Sequence, residues 1–179
     1  MSFLKPEELV KQLPITAGMS VAELGAGTGA FVIPLAKRVG EKGKVYAIDV
    51  NSGLLSGIAA KAAQEKINTV EIIRGDIEVP VGSKLAPGAA DLVILANVLY
   101  QTDDKSAVAA EAKRVLKNGG LVFVTDWEAS FGGLGPSPER VVSSDDVKKL
   151  FLNSGFALYN EGTTIYAGDY HYGLLFKKL

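Results

Sequence analysis

The chain has 179 residues and a formal net charge of −1, with 47% hydrophobic and 22% charged residues. This composition is typical of a globular protein, and a nearly neutral chain has no overall positive field to hold nucleic acid or an anionic membrane. The sequence contains no cysteine, which excludes disulfides, zinc–thiolate sites and cysteine nucleophiles within this chain.

The length suits a single domain, which we predict to span residues 1–179. The longest stretch without a charged residue, Leu24–Ala36, is too short to cross a bilayer. The first residues, Met1–Pro6, lack the basic and apolar regions of a signal peptide. We therefore expect a cytoplasmic protein with no membrane partner, and we expect no nucleic-acid partner.

Helices and strands alternate along most of the chain. The predicted helices are Pro6–Leu13, Thr28–Val39, Ser52–Glu65, Asp104–Leu116 and Asp145–Asn153. The predicted strands are Ser20–Leu24, Lys44–Asp49, Val70–Arg74, Asp91–Ala96, Leu121–Thr125, Ala157–Thr164 and Tyr170–Lys177, with a turn at Asn118–Gly120 before the fifth. The alternation predicts a parallel sheet with helices on both faces. The last two strands are joined by only a few residues, so we expect them to be antiparallel.

Three alternating glycines, Gly25, Gly27 and Gly29, follow the first strand and precede a helix. Glycine adopts positive φ and has no side chain, so a ligand can approach the backbone closely at such a turn. Glu23 lies just before the first glycine, where its charge would oppose a pyrophosphate by roughly 1 kcal/mol or more. This charge favours S-adenosylmethionine, which carries a sulfonium and an ammonium and no phosphate. Gly25, Gly27 and Ala30 also satisfy the nicotinamide-binding fingerprint, so an oxidoreductase remains an alternative.

Four polar side chains lie at or just after the ends of predicted strands: Glu23, Asp49, Asp76 and Asn97. Ligands of open α/β sheets bind outside the carboxyl ends of the strands, so we expect these side chains at one edge of the sheet. Asp49 follows Gly29 by twenty residues, the spacing at which an acid accepts hydrogen bonds from ribose hydroxyls. Asp76 follows the third strand, where its carboxylate can accept a hydrogen bond from the exocyclic amine of a purine.

Five stretches in order resemble the motifs of the class I S-adenosylmethionine-dependent methyltransferases, over nearly the whole chain. They are Gly18–Gly29, Tyr46–Asp49, Gly75–Asp76, Leu95–Leu99 and Glu111–Gly120. The resemblance implies a single Rossmann-like, doubly wound domain with strand order 3-2-1-4-5-7-6 and strand seven antiparallel.

The resemblance also implies roles for individual residues, with S-adenosylmethionine as the cofactor; Asp126 and Asn97 alone do not establish a magnesium site, so we predict no metal. The loop of Gly25, Ala26, Gly27 and Gly29 would lie under the methionine portion of the cofactor, next to Glu23. Asp49 and Val50 would contact the ribose side, Asp76 and Ile77 would lie at the adenine, and Asn97 would line the pocket.

No catalytic residue is assigned from the sequence. Methyl transfer from a sulfonium has a good leaving group, so alignment of the acceptor supplies much of the acceleration, and a base is needed only for an acceptor of high pKa. Tyr100, Gln101, Asp126 and Trp127 are candidates because they lie near strand ends. Related small-molecule methyltransferases often have a histidine just after the fourth motif, where this chain has Tyr100 and Gln101. The one histidine, His171, is interpreted as a packing or surface residue.

The sequence therefore predicts methyl transfer from S-adenosylmethionine to a small organic acceptor. A nicotinamide-dependent oxidoreductase and a non-catalytic cofactor-binding domain that acts through a partner remain alternatives. Only the first helix and the loop Trp127–Ser143 are available to cover the pocket. Such a lightly covered site suits a sizeable or flat acceptor, or a site completed by a second copy of the chain in a homodimer.

Overall fold

A computed structural model of the protein describes residues 4–159 and 165–179. The helices are α1 (Pro6–Gln12), α2 (Val32–Val39), α3 (Ser52–Gln64), α4 (Lys105–Val115) and α5 (Ser144–Asn153). The strands are β1 (Ser20–Leu24), β2 (Lys44–Asp49), β3 (Val70–Arg74), β4 (Ala90–Ala96), β5 (Leu116–Trp127), β6 (Phe156–Leu158) and β7 (His171–Lys178). In the described part of the chain, no helix is long and apolar enough to cross a membrane.

The strands form one seven-stranded sheet in the order β3-β2-β1-β4-β5-β7-β6. Strands β1 to β5 pair in parallel, and β7 is antiparallel to both of its neighbours, β5 and β6. The predicted strand order and the antiparallel end of the sheet are confirmed. The assignment of residues 1–179 to a single domain remains a prediction.

Apolar side chains cover both faces of the sheet, as expected for a parallel sheet enclosed by helices. On one face, the core is completed by α1, α2 and α3 through side chains such as Leu9, Leu35 and Ile58. On the other face, α4 and α5 supply residues such as Val108 and Phe151. The carboxyl ends of the parallel strands are left between these two helical layers.

Helix α1 is joined to the chain segment that precedes β7 by a reciprocal pair of hydrogen bonds. The Nε2 atom of Gln12 donates to the carbonyl of Tyr166 at 3.1 Å, and the Tyr166 amide donates to Oε1 of Gln12, also at 3.1 Å. Together with the burial of Leu9 and Val10, these contacts fix α1 against the body of the domain.

Two predicted boundaries at the glycine-rich turns are wrong. The second helix begins at Val32 rather than Thr28, because Gly27 and Gly29 have φ of 52° and 76° and keep the chain out of the helical conformation. The turn predicted at Asn118–Gly120 lies inside β5. There the pairing with β4 shifts register, and Gly119 has a φ of 72°, which identifies an irregularity in the strand rather than a separate turn.

The end of the chain also differs from the prediction. Strand β6 is shorter than expected and ends at Leu158, while β7 begins one residue later than predicted, at His171. The predicted end of β6, Thr164, lies outside the described residues.

Candidate functional site

A cavity of about 550 Å³ opens at the carboxyl ends of the parallel strands, where β1 lies between β2 and β4. This is the position at which open α/β sheets bind their ligands. The predicted site residues that line it are Glu23, Gly25, Ala26, Gly27, Asp49, Val50, Asp76, Ile77 and Asn97. The four polar side chains predicted at or just after strand ends therefore lie around one cavity.

The glycine loop after β1 is held against β2. The amides of Gly25 and Ala26 both donate to the carbonyl of Ile48, at 2.9 and 2.8 Å. Gly25 has a φ of 81°, and a Cβ there would come within 2.7 Å of Val98. Gly27 has open space where a Cβ would lie, so a bound molecule can rest directly on its backbone.

Asp49 connects this loop to the start of α3. Its Oδ2 accepts a hydrogen bond from the Gly27 amide at 2.8 Å, and its Oδ1 accepts from the Asn51 amide at 2.9 Å. Asn51 in turn caps α3 by accepting from the amide of Gly53 at 2.9 Å. Each carboxylate oxygen has a second lone pair, so Asp49 can still accept hydrogen bonds from the hydroxyls of a ligand.

Glu23 is the most deeply buried of the acidic residues that line the cavity. Glu23 is 2% exposed, and its Oε2 has no hydrogen-bond partner among residues 4–159 and 165–179. Burial, and then the charge of Asp49, raise the pKa of Glu23 well above its usual value. An unpartnered carboxyl beside a second acid is unfavourable when both are charged, and a cation in the cavity would relieve this repulsion.

The loop after β3 supplies the third side of the cavity. Asp76 accepts a hydrogen bond from the Glu78 amide at 3.0 Å, which shapes the turn that presents Ile77. Across the cavity rim, Val50 is 57% exposed and offers an apolar surface. A purine base can donate a hydrogen bond from its edge to a carboxylate oxygen and can pack its face against apolar side chains. This part of the cavity offers both kinds of contact.

Glu78 also lines the cavity, and sequence reasoning missed it. Its Oε2 accepts hydrogen bonds from the amides of Asp103 and Asp104, both at 2.7 Å, and so links the β3 loop to the start of α4. These partners are 25 and 26 residues away, so no local sequence pattern indicates the contact. Phe31 and Leu54, which line the cavity from the α2 and α3 sides, were also missed because their exposure depends on how the helices pack.

Asn97 lies at the end of β4 in a left-handed backbone conformation, with a φ of 56°. The backbone amide of Asn97 donates to the backbone carbonyl of Thr125 in β5 at 2.8 Å. The backbone carbonyl of Asn97 accepts from Nε2 of Gln101 at 2.7 Å. The side-chain Oδ1 is buried without a hydrogen-bond partner in the described structure. Asparagine tolerates this conformation better than most residues, and Asn97 is one of the residues that line the cavity.

Gly29 does not line this cavity. A Cβ at Gly29 would lie 2.6 Å from Cγ1 of Ile58, so the absence of a side chain lets α3 pack against the glycine loop. Its predicted contact with a cofactor remains a prediction, and so do the other assigned roles.

The candidates for catalysis are separated by the structure. Gln101 lines the cavity, whereas Tyr100, Asp126 and Trp127 are not among its lining residues. Asp126 is 1% exposed and accepts hydrogen bonds from the amides of Trp127 at 2.8 Å and Tyr100 at 3.3 Å. Burial raises the pKa of Asp126 to about 6. Its oxygens therefore hold the connection after β4 rather than face the cavity.

Comparison with known proteins decides the family. A family model described as a methyltransferase domain matches residues 15–155. The chain belongs to the class I S-adenosylmethionine-dependent methyltransferase family. S-adenosylmethionine is the cofactor of this family, so the predicted family, fold and cofactor are confirmed. The nicotinamide-dependent alternative belongs to a different family.

Two curated relatives and one solved structure illustrate the similarity. A demethylmenaquinone methyltransferase of Lactococcus lactis subsp. lactis (strain IL1403) is 31% identical over 113 residues, which are 63% of this chain and 44% of that protein. A nocamycin O-methyltransferase of Saccharothrix syringae is 32% identical over 108 residues, 60% of this chain and 38% of that protein. The matches span less than half the length of these relatives. A SAM-dependent methyltransferase from Aquifex aeolicus superposes with a TM-score of 0.86 at 28% identity, covering 99% of this chain and 91% of that one.

The residues of the methyltransferase cavity fit the cofactor of the family. The buried carboxyl of Glu23, whose Oε2 has no partner among the described residues, suits a cationic ligand, and the absence of a side chain at Gly27 allows close approach to its backbone. The free lone pairs of Asp49 suit hydroxyl groups.

Proposed function

We propose that this protein transfers a methyl group from S-adenosylmethionine to a small organic acceptor. The observation that carries the proposal is the buried carboxyl of Glu23, which lines the cavity beside the glycine loop and whose Oε2 has no hydrogen-bond partner in the described structure. A positively charged ligand stabilises that carboxyl, while a pyrophosphate would be repelled by it.

Each cavity residue has a role in this proposal. Glu23 neutralises the positive charge of the methionine portion, over a floor formed by the Gly25–Gly27 backbone. Asp49 accepts hydrogen bonds from the ribose, and Asp76 accepts one from the adenine amine. Val50 and Ile77 pack against the faces of the adenosine. Asn97 marks the boundary with the acceptor, since its Oδ1 is buried and free of partners at the end of β4.

When bound, the cofactor supplies an activated methyl group on a sulfonium. The protein contributes position: the acceptor must approach in line with the carbon–sulfur bond, and alignment alone supplies a large share of the acceleration. The hydrogen bond from Nε2 of Gln101 to the backbone carbonyl of Asn97, at 2.7 Å, stabilises the part of the cavity wall that we assign to the approach of the acceptor.

A small organic acceptor agrees with the chain's near-zero net charge and with the names of its relatives, which include methyltransferases for demethylmenaquinone and nocamycin. A cytoplasmic location, a homodimer and the lack of a nucleic-acid partner remain predictions.

Calorimetry with S-adenosylmethionine, S-adenosylhomocysteine and NADH tests the cofactor. We expect binding of the first two ligands only, and binding of NADH alone would refute the proposal. Incubation with methyl-labelled S-adenosylmethionine and a metabolite extract then tests the transfer. Label should appear in a small organic product, whereas cofactor binding without any labelled product would favour a non-catalytic role.

A further inference from the structure

The β3 loop, residues 75–85, carries Asp76 and Ile77, which the proposed function assigns to the adenine. The two ends of this loop pack backbone against backbone. A Cβ at Gly82 would collide with the carbonyl oxygen of Asp76, and a Cβ at Gly75 would collide with the carbonyl oxygen of Gly82. Because no side chain lies between them, the position of Gly82 determines the position that Asp76 can take.

Ser83, the residue after Gly82, is held by two side chains of α4. Ser83 is 0% exposed, its amide donates to Oε1 of Glu111 at 3.0 Å, and its Oγ accepts from Nη2 of Arg114 at 3.2 Å. The end of the loop is held in the same way. The carbonyl of Leu85 accepts from Nη1 of Arg114 at 2.8 Å, and the Leu85 amide donates to Oγ of Ser83 at 3.3 Å.

The two α4 side chains fix each other before they reach the loop. Nε and Nη2 of Arg114 donate to Oε2 and Oε1 of Glu111, at 2.8 and 2.7 Å, and Glu111 is 4% exposed. Two parallel hydrogen bonds between a guanidinium and a carboxylate fix the orientation of both groups. This ion pair is complete without the loop, yet it also makes the hydrogen bonds to Ser83 and Leu85 described above.

The loop needs such support because its backbone is strained. Val81 and Lys84 have φ of 60° and 61°. A β-branched residue such as valine rarely adopts this left-handed conformation, which persists only where the surrounding structure holds it. The contacts of Glu111 and Arg114 fall at residues 83 and 85, next to both strained positions, and Glu78 ties the other side of the loop to the start of α4.

We propose that Ser83, Glu111 and Arg114 are positioning residues for recognition of the adenine amine. They hold Gly82 in place, and Gly82 holds Asp76 where its carboxylate can accept a hydrogen bond from the amine. The three residues are not among the described residues that line the cofactor cavity, so they act through the loop. This inference rests on the proposed function, since that function assigns the adenine to Asp76.

Two ligands that differ only in the purine separate positioning from stability. S-adenosylhomocysteine carries an amine on the purine, whereas S-inosylhomocysteine carries an oxygen there, which the carboxylate of Asp76 repels. Calorimetry with both ligands gives a ratio of dissociation constants, which we expect to be about 10 or more in the wild type. A partly unfolded variant binds both ligands more weakly by the same factor, so a loss of stability alone leaves the ratio unchanged.

Two variants loosen the contacts to the loop. Ser83→Ala removes the hydroxyl that bonds to Arg114 and Leu85. Arg114→Lys keeps a positive charge opposite Glu111 but cannot reproduce the forked geometry that reaches the carboxylate and the loop together. In both variants we expect the ratio to fall about threefold or more, mainly through weaker binding of S-adenosylhomocysteine.

Val147→Ala is the matched control. Val147 lies in α5, belongs to the core on the same face of the sheet as α4, and is 0% exposed. Its truncation removes buried apolar contacts and so lowers the stability of the fold, but it lies outside the hydrogen bonds that hold the β3 loop. Val147→Ala should keep the wild-type ratio.

The failures of the two proposals are distinguishable. A wild type that binds neither ligand would refute the proposed function itself. A wild type that binds both ligands equally, a wild-type ratio in either folded variant, or a lower ratio in Val147→Ala would overturn only the positioning role. If Arg114→Lys does not fold, the ratio in Ser83→Ala decides the question alone.

Discussion

Replacement of Glu23 by glutamine tests the electrostatic basis of the site. The change keeps the shape of the side chain and removes its charge from a cavity that also contains Asp49. Glu23 is buried and lacks a partner for Oε2 in the described structure, so little besides its charge contributes to the site. The variant should therefore affect cofactor binding and the stability of the empty protein in opposite directions.

The expected loss of affinity can be bounded. Two unit charges 4 Å apart attract by about 4 kcal/mol at an effective dielectric constant of 20, which sets the upper limit. A hydrogen bond to a charged group contributes about 1.5–3 kcal/mol net. We therefore expect Glu23→Gln to bind S-adenosylmethionine about 10- to 150-fold more weakly.

The stability effect has the opposite sign. The pKa of Glu23 is raised in the folded state by burial and by Asp49, so the folded protein binds more protons than the unfolded chain above pH 4.5. The free energy of unfolding of the empty wild type therefore falls as the pH rises from 4.5 through the raised pKa. Glu23→Gln removes this slope and should be the more stable protein at pH 8, with each kcal/mol visible as about 2–4 °C in Tm.

Calorimetry gives the affinities, and thermal denaturation of the empty protein between pH 5 and pH 8 gives the stabilities. Glu41→Gln is the matched control, because it removes the same charge from an exposed position. If Glu23→Gln binds S-adenosylmethionine as tightly as the wild type, or if its Tm keeps the wild-type dependence on pH, the electrostatic reasoning is refuted.

Three further variants test individual contacts. Asp49→Ala should weaken S-adenosylmethionine binding by about 1–3 kcal/mol in calorimetry, and unchanged affinity would remove Asp49 from the site. Gly27→Val, at a φ of 52° and beside open cavity space, should abolish cofactor binding while the circular dichroism spectrum stays native. Normal binding would show that the loop does not contact the cofactor. Arg114→Met leaves the buried Glu111 without its ion pair at 2.7 Å and should reduce the free energy of unfolding in urea by about 3 kcal/mol. A loss below about 1 kcal/mol would contradict this view of the pair.

The positions of β1, β2 and β3 follow from the sequence because each is a short apolar run bounded by glycine or polar residues. The same logic places Glu23, Asp49 and Asp76 at one edge of the sheet, since parallel strands end on the same side. The cavity was therefore predictable from local sequence and one rule of topology.

Other features depend on long-range contacts that no local pattern reports. Glu78 reaches the start of α4 across 25 residues of sequence. The surroundings of His171 depend on the register between β5 and β7, and on Ile165 folding over Gly173. The interpretation of His171 as a packing or surface residue rested on the alternation of side chains along a strand, and in the structure His171 is 9% exposed with its ring centroid 4.4 Å from that of Trp127.

The reciprocal hydrogen bonds between Gln12 and Tyr166 join positions 154 residues apart in the sequence. These hydrogen bonds hold α1 against the segment before β7. Leu4, two residues before α1, forms part of the cavity wall. Since α1 is not paired in the sheet, its movement away from the domain would withdraw Leu4 from the cavity wall without separating any strands. The amide hydrogens of α1 should thus exchange with solvent faster than those of β4. A ligand bound in the cavity beside Leu4 should slow the exchange of the α1 amides.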